Sequence, residues 1–195
     1  MKHFFTFLMV VVGVFGSADA QWKQCIQPYS ASITTMSCMG TTLFASSKTG
    51  GMYRSLNSGE DWAAVNTGLG DFDILTILQN GDFVLAATKS GLYRSVNNGS
   101  SWQLACDTSV IGNTMTIAMQ QDAIFLLSPR GFFKSQDQGS TWSRIMVLGK
   151  EHQILSAAVT DVDIYVSLPS LGIYKSTDSG NTWELIDSTN KFVST

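Results

Sequence analysis

Charge is scarce in this chain of 195 residues: Asp, Glu, Lys and Arg together make up 14%, and the net charge is −3. With no basic surplus to neutralise phosphates, the composition argues against a nucleic-acid partner. Proline is rarer still, at 3 residues, and with 17 Gly this excludes collagen-like and low-complexity classes. Histidine occurs twice and cysteine three times, without a C-x-x-C pair or a clustered Cys/His spacing, so no zinc site and no cofactor is implied. The G-x-S-x-G elbow, the P-loop and the dinucleotide fingerprint are all missing. Apart from one N-terminal stretch there is no long apolar run, and no sustained 3.6-residue period marks an amphipathic helix. Aromatic residues, by contrast, are plentiful. Five Trp and 11 Phe supply ample surface to bury and exclude a disordered polar tail.

The N-terminal stretch reads as an address. Met1-Lys2-His3 is a short basic start, Phe4 to Phe15 is mostly apolar, and Ala18-Asp19-Ala20 has the A-x-A form of a secretory cleavage site. The division expected is a signal peptide over 1–20 and one domain over 21–195, with a secreted or periplasmic product and no membrane span after cleavage. The apolar core is shorter than the roughly 20 residues a spanning helix needs. Export permits disulfides. Cys25 and Cys38 could close a short loop, or Cys25, Cys38 and Cys106 could all serve as small apolar fillers. The odd count leaves one thiol over, or an intermolecular bridge.

The organising pattern is a repeat of about 40 residues. Ser55-Leu56-Asn57-Ser58-Gly59-Glu60-Asp61-Trp62 returns as Ser95-Val96-Asn97-Asn98-Gly99-Ser100-Ser101-Trp102. It recurs as Ser135-Gln136-Asp137-Gln138-Gly139-Ser140-Thr141-Trp142 and as Ser176-Thr177-Asp178-Ser179-Gly180-Asn181-Thr182-Trp183. An aromatic precedes each copy at one offset: Tyr53, Tyr93, Phe133 and Tyr174. Between copies, short apolar segments such as Ile74–Leu78, Phe83–Ala87, Leu92–Ser95 and Trp102–Ala105 alternate with turn residues, which predicts four strands per unit. Four strands in about 40 residues is the signature of a propeller blade. Within each copy, Asp or Asn at the third position can fold back onto turn N–H groups. Glycine at the fifth permits a positive φ. The leading Ser can tie off another backbone group, and the Trp drops a large ring onto a neighbouring sheet.

The run G-[MLFI]-[YF]-[RK]-S-x-[DN]-x-G-x-[STD]-W resembles the Asp-box, or bacterial neuraminidase repeat, of sialidases, xyloglucan hydrolases, sortilin-type receptors and a photosystem II assembly factor. Four copies span residues 51 to 183, with Asn57 and Asn97 departing from the Asp of the pattern. The resemblance implies an all-β propeller of four Asp-box blades and says little about activity. A sialidase mechanism would require an arginine triad. Of the four Arg, Arg54 and Arg94 occupy the slot that Lys134 and Lys175 fill elsewhere, which leaves only Arg130 and Arg144.

Three geometries are compatible with four blades: a closed four-blade ring, an open arc that pairs with a second chain as a homodimer, or part of a larger propeller. Trp22 precedes Trp62 by 40 residues, so Gln21–Ile26 also resembles a fourth strand. Links between units and the turn between second and third strands share one end of a propeller, which places Asp71, Phe72, Asp73, Lys89, Asp107, Arg130, Glu151 and His152 around one mouth. These are the candidate binding residues, with Phe72 and Arg130 foremost. The expected function is a non-catalytic binding module for a glycan or an exported protein. The alternatives are a reduced glycoside hydrolase using two of Asp71, Asp73, Asp107 and Glu151, or an assembly-factor-like scaffold with a flat patch.

Overall fold

A computed structural model describes residues 32–107, 112, 114 and 116–187. Residues 1–20, Trp22 and Cys25 lie outside the described residues, and with them the expected signal peptide, the expected extra strand and a Cys25–Cys38 bridge. Among the described residues, sixteen strands form four antiparallel meanders of four. The first contains β1 (Ile33–Met39), β2 (Thr42–Ser47), β3 (Gly51–Ser55) and β4 (Ala63–Ala64). The second contains β5 (Ile74–Asn80), β6 (Phe83–Thr88), β7 (Gly91–Ser95) and β8 (Gln103–Asp107). The third runs through β9 (Thr116–Gln120), β10 (Ala123–Ser128), β11 (Gly131–Ser135) and β12 (Ser143–Ile145). The fourth comprises β13 (Ser156–Val159), β14 (Ile164–Leu168), β15 (Gly172–Ser176) and β16 (Glu184–Asp187). The expected strands are present within a residue or two of their limits.

The sheets stack face to face through three separate cores. Phe44 and Met52 of the first sheet meet Ile77, Val84, Ala86 and Tyr93 of the second. The opposite face of the second, with Leu85, Ala87 and Leu92, meets Ile124, Leu126 and Phe133 of the third. Phe125, Leu127 and Phe132 then meet Ile164, Val166 and Tyr174 of the fourth. This explains why β6 reads as a continuous apolar run: it is buried along its whole length because both faces are covered. The first strands line the inner edge, β1 against β5, β5 against β9, and β9 against β13. Among the described residues no comparable contact joins β13 to β1. The closed four-blade ring is therefore corrected to an open arc. One docking geometry repeated three times does not bring the fourth sheet back onto the first.

Each Ser-x-[Asn/Asp]-x-Gly corner joins the third and fourth strands of its sheet. The Ser side chains are almost fully buried, and Oγ of Ser55, Ser95, Ser135 and Ser176 accepts the N–H of the corner glycine at 2.8 Å in every copy. The glycines have φ of 91°, 76°, 76° and 90°. The residue before each is also left-handed: Ser58, Asn98, Gln138 and Ser179, at 52–58°. Two positive φ values in succession belong to a type I′ turn. Its closing bond is present from the Glu60 N–H to the Asn57 carbonyl at 3.3 Å and from the Ser140 N–H to the Asp137 carbonyl at 3.2 Å.

The third corner residue also binds the seventh. Oδ1 of Asn57, Asn97, Asp137 and Asp178 accepts the seventh residue's N–H at 2.8–2.9 Å. The second side-chain atom is matched by chemistry. Asn57 and Asn97 donate to Asp61 and Ser101, whereas Asp137 and Asp178 accept from Thr141 and Thr182. Asparagine at the first two corners is thus the complement of its partner. The side-chain and backbone bonds from Thr141 and Thr182 hold the Asp137 and Asp178 carboxyls down at about 2.

Corners also join sheets. Arg54 Nη1 donates to the Asn98 carbonyl and, at 3.1 Å, to Ser100 Oγ. Arg94 reaches Ser140 Oγ, and Lys134 Nζ donates to the Ser179 carbonyl at 3.3 Å. A Cβ on Gly99 would lie 2.5 Å from Phe44 of the preceding sheet, and one on Gly139 would lie 3.3 Å from Leu85. The glycine therefore permits close approach between sheets as well as the turn.

Three predictions follow from the corner. Gly99→Ala should cost about 1–2 kcal/mol more than Gly139→Ala, since both meet left-handed strain but only the former collides with an aromatic ring; thermal melts of the two variants test the order. Asn57→Asp, although it restores the family pattern, should destabilise by about 1 kcal/mol because it faces Asp61 with a second carboxylate. Adding Asp61→Thr should recover the loss in the same melts. Finally, a carboxyl near 2 when folded and about 3.9 when unfolded stabilises the fold above pH about 4 and loses that contribution as pH falls through about 2. Asp137→Asn with Asp178→Asn should flatten this acid limb in denaturant titrations, because Thr hydroxyls can turn to accept as Ser101 does.

Candidate functional site

Corners occupy one end of every sheet, beside the hairpins joining first and second strands: the Ser58 N–H donates to the Thr41 carbonyl and the Asn98 N–H to the Asp82 carbonyl. The opposite end carries the links between sheets and the turns between second and third strands. All eight candidate binding residues lie in segments at this end. They fall into two groups.

The first group surrounds the second sheet. Asp71 in the link accepts N–H bonds from Asp73 and Ser90, both at 2.9 Å, which ties the link to the turn after β6. Lys89 Nζ pairs with Asp73 at 2.7 Å, and this hydrogen bond raises the lysine above its usual value. Burial pushes the Asp71 carboxyl upward, but the Asp73 and Ser90 donors outweigh it and hold the carboxyl below the ordinary range. Phe72 lies over the junction with the first sheet, against Gly51, and Asp107 sits at the end of β8 opposite Gly91. Earlier in this link, Asn66 accepts the Met52 N–H at 2.7 Å and donates to the Gly50 carbonyl at 2.9 Å. The segment is laced to the turns on both sides.

The second group forms a cavity of about 390 Å³ at the third sheet and the link that follows it, lined by Ser128, Arg130, Arg144, Glu151 and His152 among others. Ile154 is buried in the core between third and fourth sheets and anchors the link beneath it. Arg144 of β12 organises the wall. Its guanidinium sits 5.4 Å over the Phe133 ring, donates to the Arg130 carbonyl and pairs with Glu151. Arg130, Glu151 and His152 border this cavity, while Asp71, Asp73 and Lys89 build the separate tie.

Arg144 is the residue that sequence reasoning passed over, having counted it only against an arginine triad. The repeat held a signal: two residues after each Trp the other sheets place Ala64, Leu104 and Leu185. A guanidinium in that slot breaks the period.

The four indoles are not equivalent. Trp102 is 3% exposed and donates to the Val65 carbonyl at 2.7 Å. Trp62 and Trp142 are half-buried and donate to their own corner glycines. Trp183 is half-buried too, and among the described residues its buried Nε1 has no acceptor. The cause of the first difference is local: Val65 and Leu69 are buried with Trp102, and the link folds across it, the Trp102 N–H donating to the Thr67 carbonyl at 2.8 Å.

Neither a family model nor a curated protein matches the chain. Solved structures do. An ancestral GH74 enzyme superposes with a TM-score of 0.62 at 19% identity, over 82% of this chain and 24% of its own. YCF48 bound to D1 peptide gives 0.63 at 16% identity, over 87% of this chain and 59% of its own. The extracellular domain of BT4673 from B. thetaiotaomicron gives 0.60 at 17%, over 86% and 23%. At these identities the likeness shows the fold, that of β-propeller proteins. The chain spans about a quarter of the GH74 enzyme's length and three fifths of YCF48's. Among the described residues no helix is long and apolar enough to cross a membrane.

Proposed function

We propose that this chain is an exported, non-sialidase Asp-box propeller protein that works as a binding module, with a glycan or a segment of an exported protein held at the link end. The observation that carries the reading is the polar cavity beside Arg130, Arg144, Glu151 and His152, at the end where side chains are not consumed by the corners. A few convergent polar groups in a concave site are what fixes a ligand's orientation. The Asp-box assignment draws support from the four corners, whose Ser, Asp or Asn, and Gly form one bonded turn. Among structures sharing the fold, one was solved with a peptide and another is an extracellular domain, which fits an exported binding protein.

Three of the four carboxylates that a glycoside hydrolase could draw on have other work. Asp71 is held ionised by two N–H donors, Asp73 faces Lys89, and Glu151 faces Arg144. For Asp71, held below the ordinary carboxylate range, this is the opposite of a general acid, whose carboxyl is raised toward neutrality.

The full chain should bind a member of a glycan array or of an array of exported-protein peptides. Arg144→Leu, which installs the side chain of the equivalent positions 104 and 185, should weaken that binding at least roughly tenfold while leaving the melting curve near wild type. Silence on both arrays, or release of reducing ends from xyloglucan oligosaccharides, would overturn the reading.

A further inference from the structure

The two ends of the arc are complementary. At each internal junction a cation on the third strand of one blade enters the next blade's corner: Arg54, Arg94 and Lys134 reach Asn98 and Ser100, Ser140, and Ser179. The repeat places a fourth cation, Lys175, in the same slot on β15. It has no next corner among the described residues. Instead Nζ turns back to Asp163 at 2.9 Å and lies 5.8 Å over the Tyr165 ring, whose hydroxyl also binds Asp163 at 3.2 Å.

The face around Lys175 is built as a docking face. Tyr165 pairs with Lys175 across the sheet as Phe44 does with Arg54, Leu85 with Arg94 and Phe125 with Lys134. Ile173 occupies the position of Met52, Leu92 and Phe132, which are at most 2% exposed beneath the following blade, yet Ile173 is 37% exposed. An aromatic, an aliphatic and a cation are thus arranged as at an internal junction, with no blade upon them among the described residues.

The other end carries the matching charge. Ser100 and Ser140 meet the incoming arginines, and Asn181 fills that sixth corner position in the fourth blade. In the first blade the same position is Glu60, which is exposed. The acidic version stands at the one corner that no cation of a preceding blade enters among the described residues.

We propose that the outer face of the fourth blade docks onto the first blade of a second copy, Lys175 leaving Asp163 for Glu60 of that copy, so that two arcs close one ring. The contact is head-to-tail, and such contacts form rings when the rotation closes. Two arcs of four blades make eight, within the ~4–8 of known propellers, whereas three copies would exceed it. The rule that a Lys buried at a junction needs a partner favours Glu60 over the neutral corners.

Sedimentation velocity of the full chain across a concentration series tests this. The wild type should approach twice the monomer mass. Lys175→Glu alone and Glu60→Lys alone should each stay monomeric or dimerise at least roughly tenfold more weakly, because both junctions then oppose like charges. Mixing these two variants should restore the dimer, since each junction regains one cation and one carboxylate, and far-ultraviolet dichroism confirms that each is folded. A wild type that remains monomeric, an assembly larger than a dimer, or a dimer indifferent to both reversals would overturn the proposal.

Discussion

A single hydrogen bond recurs where the architecture can least do without it: serine Oγ to the N–H of the corner glycine, at 2.8 Å in all four copies. Two successive left-handed residues carry the chain through a turn whose glycine is buried although its neighbours are half-buried or exposed. The hydroxyl satisfies the buried donor, and orphaned backbone donors are what such a turn cannot tolerate. Once the turn is closed, the glycine presents no Cβ to the sheet before it, so Phe44 and Leu85 can lie against Gly99 and Gly139. The exposed carbonyl and hydroxyl of the corner then accept the preceding sheet's cation. Turn, core and inter-sheet bond are therefore one coupled unit, and the shape of the arc is that unit applied three times.

This coupling explains what could be read from the residues alone. Four strands per unit, the buried serines and the glycine φ follow from local chemistry repeated at fixed spacing, and they are present. Asn57 and Asn97 looked like departures until their partners were in view. Asp61 and Ser101 accept where Thr141 and Thr182 donate, a pairing at four residues' distance that a consensus hides. The left-handed residue before the glycine was invisible for a different reason. Ser58, Asn98, Gln138 and Ser179 are of three side-chain types, and only Asn favours that region. Whether the ring closes was not legible either, because rotation between sheets depends on how side chains interlock in three dimensions.

The candidate site shows the same limit. Periodicity correctly assigns its residues to links and turns at one end of the sheets, since those are the segments between strands. It cannot say that Asp71, Asp73 and Lys89 knit one link shut while Arg130, Glu151 and His152 border a cavity. That difference traces to Arg144 in a slot otherwise held by alanine or leucine. A guanidinium there supports the third turn through the Arg130 carbonyl and holds Glu151 of the link. Elsewhere the equivalent position contributes only a small or aliphatic side chain, as Leu104 does against Gly91. The cavity is thus a local exception to the repeat, where binding surfaces grafted on repetitive frames are expected.

Repetition also creates the problem of ends. Every blade in a stacked array offers two sticky faces, and terminal blades must cover, charge or share them. A blade designed only to stop would replace its docking residues with unrelated polar ones. The fourth blade instead keeps a cation at Lys175, an aromatic at Tyr165 and an aliphatic at Ile173, and adds Asp163 as a local partner for the lysine. Such an arrangement is satisfied when uncovered and remains compatible with a corner placed upon it. The first blade's corner keeps the turn unchanged and alters the sixth position, from Ser or Asn to Glu60. The fourth blade therefore preserves the internal docking residues and shields its lysine with a carboxylate of its own, while the first places a carboxylate where an incoming cation would enter.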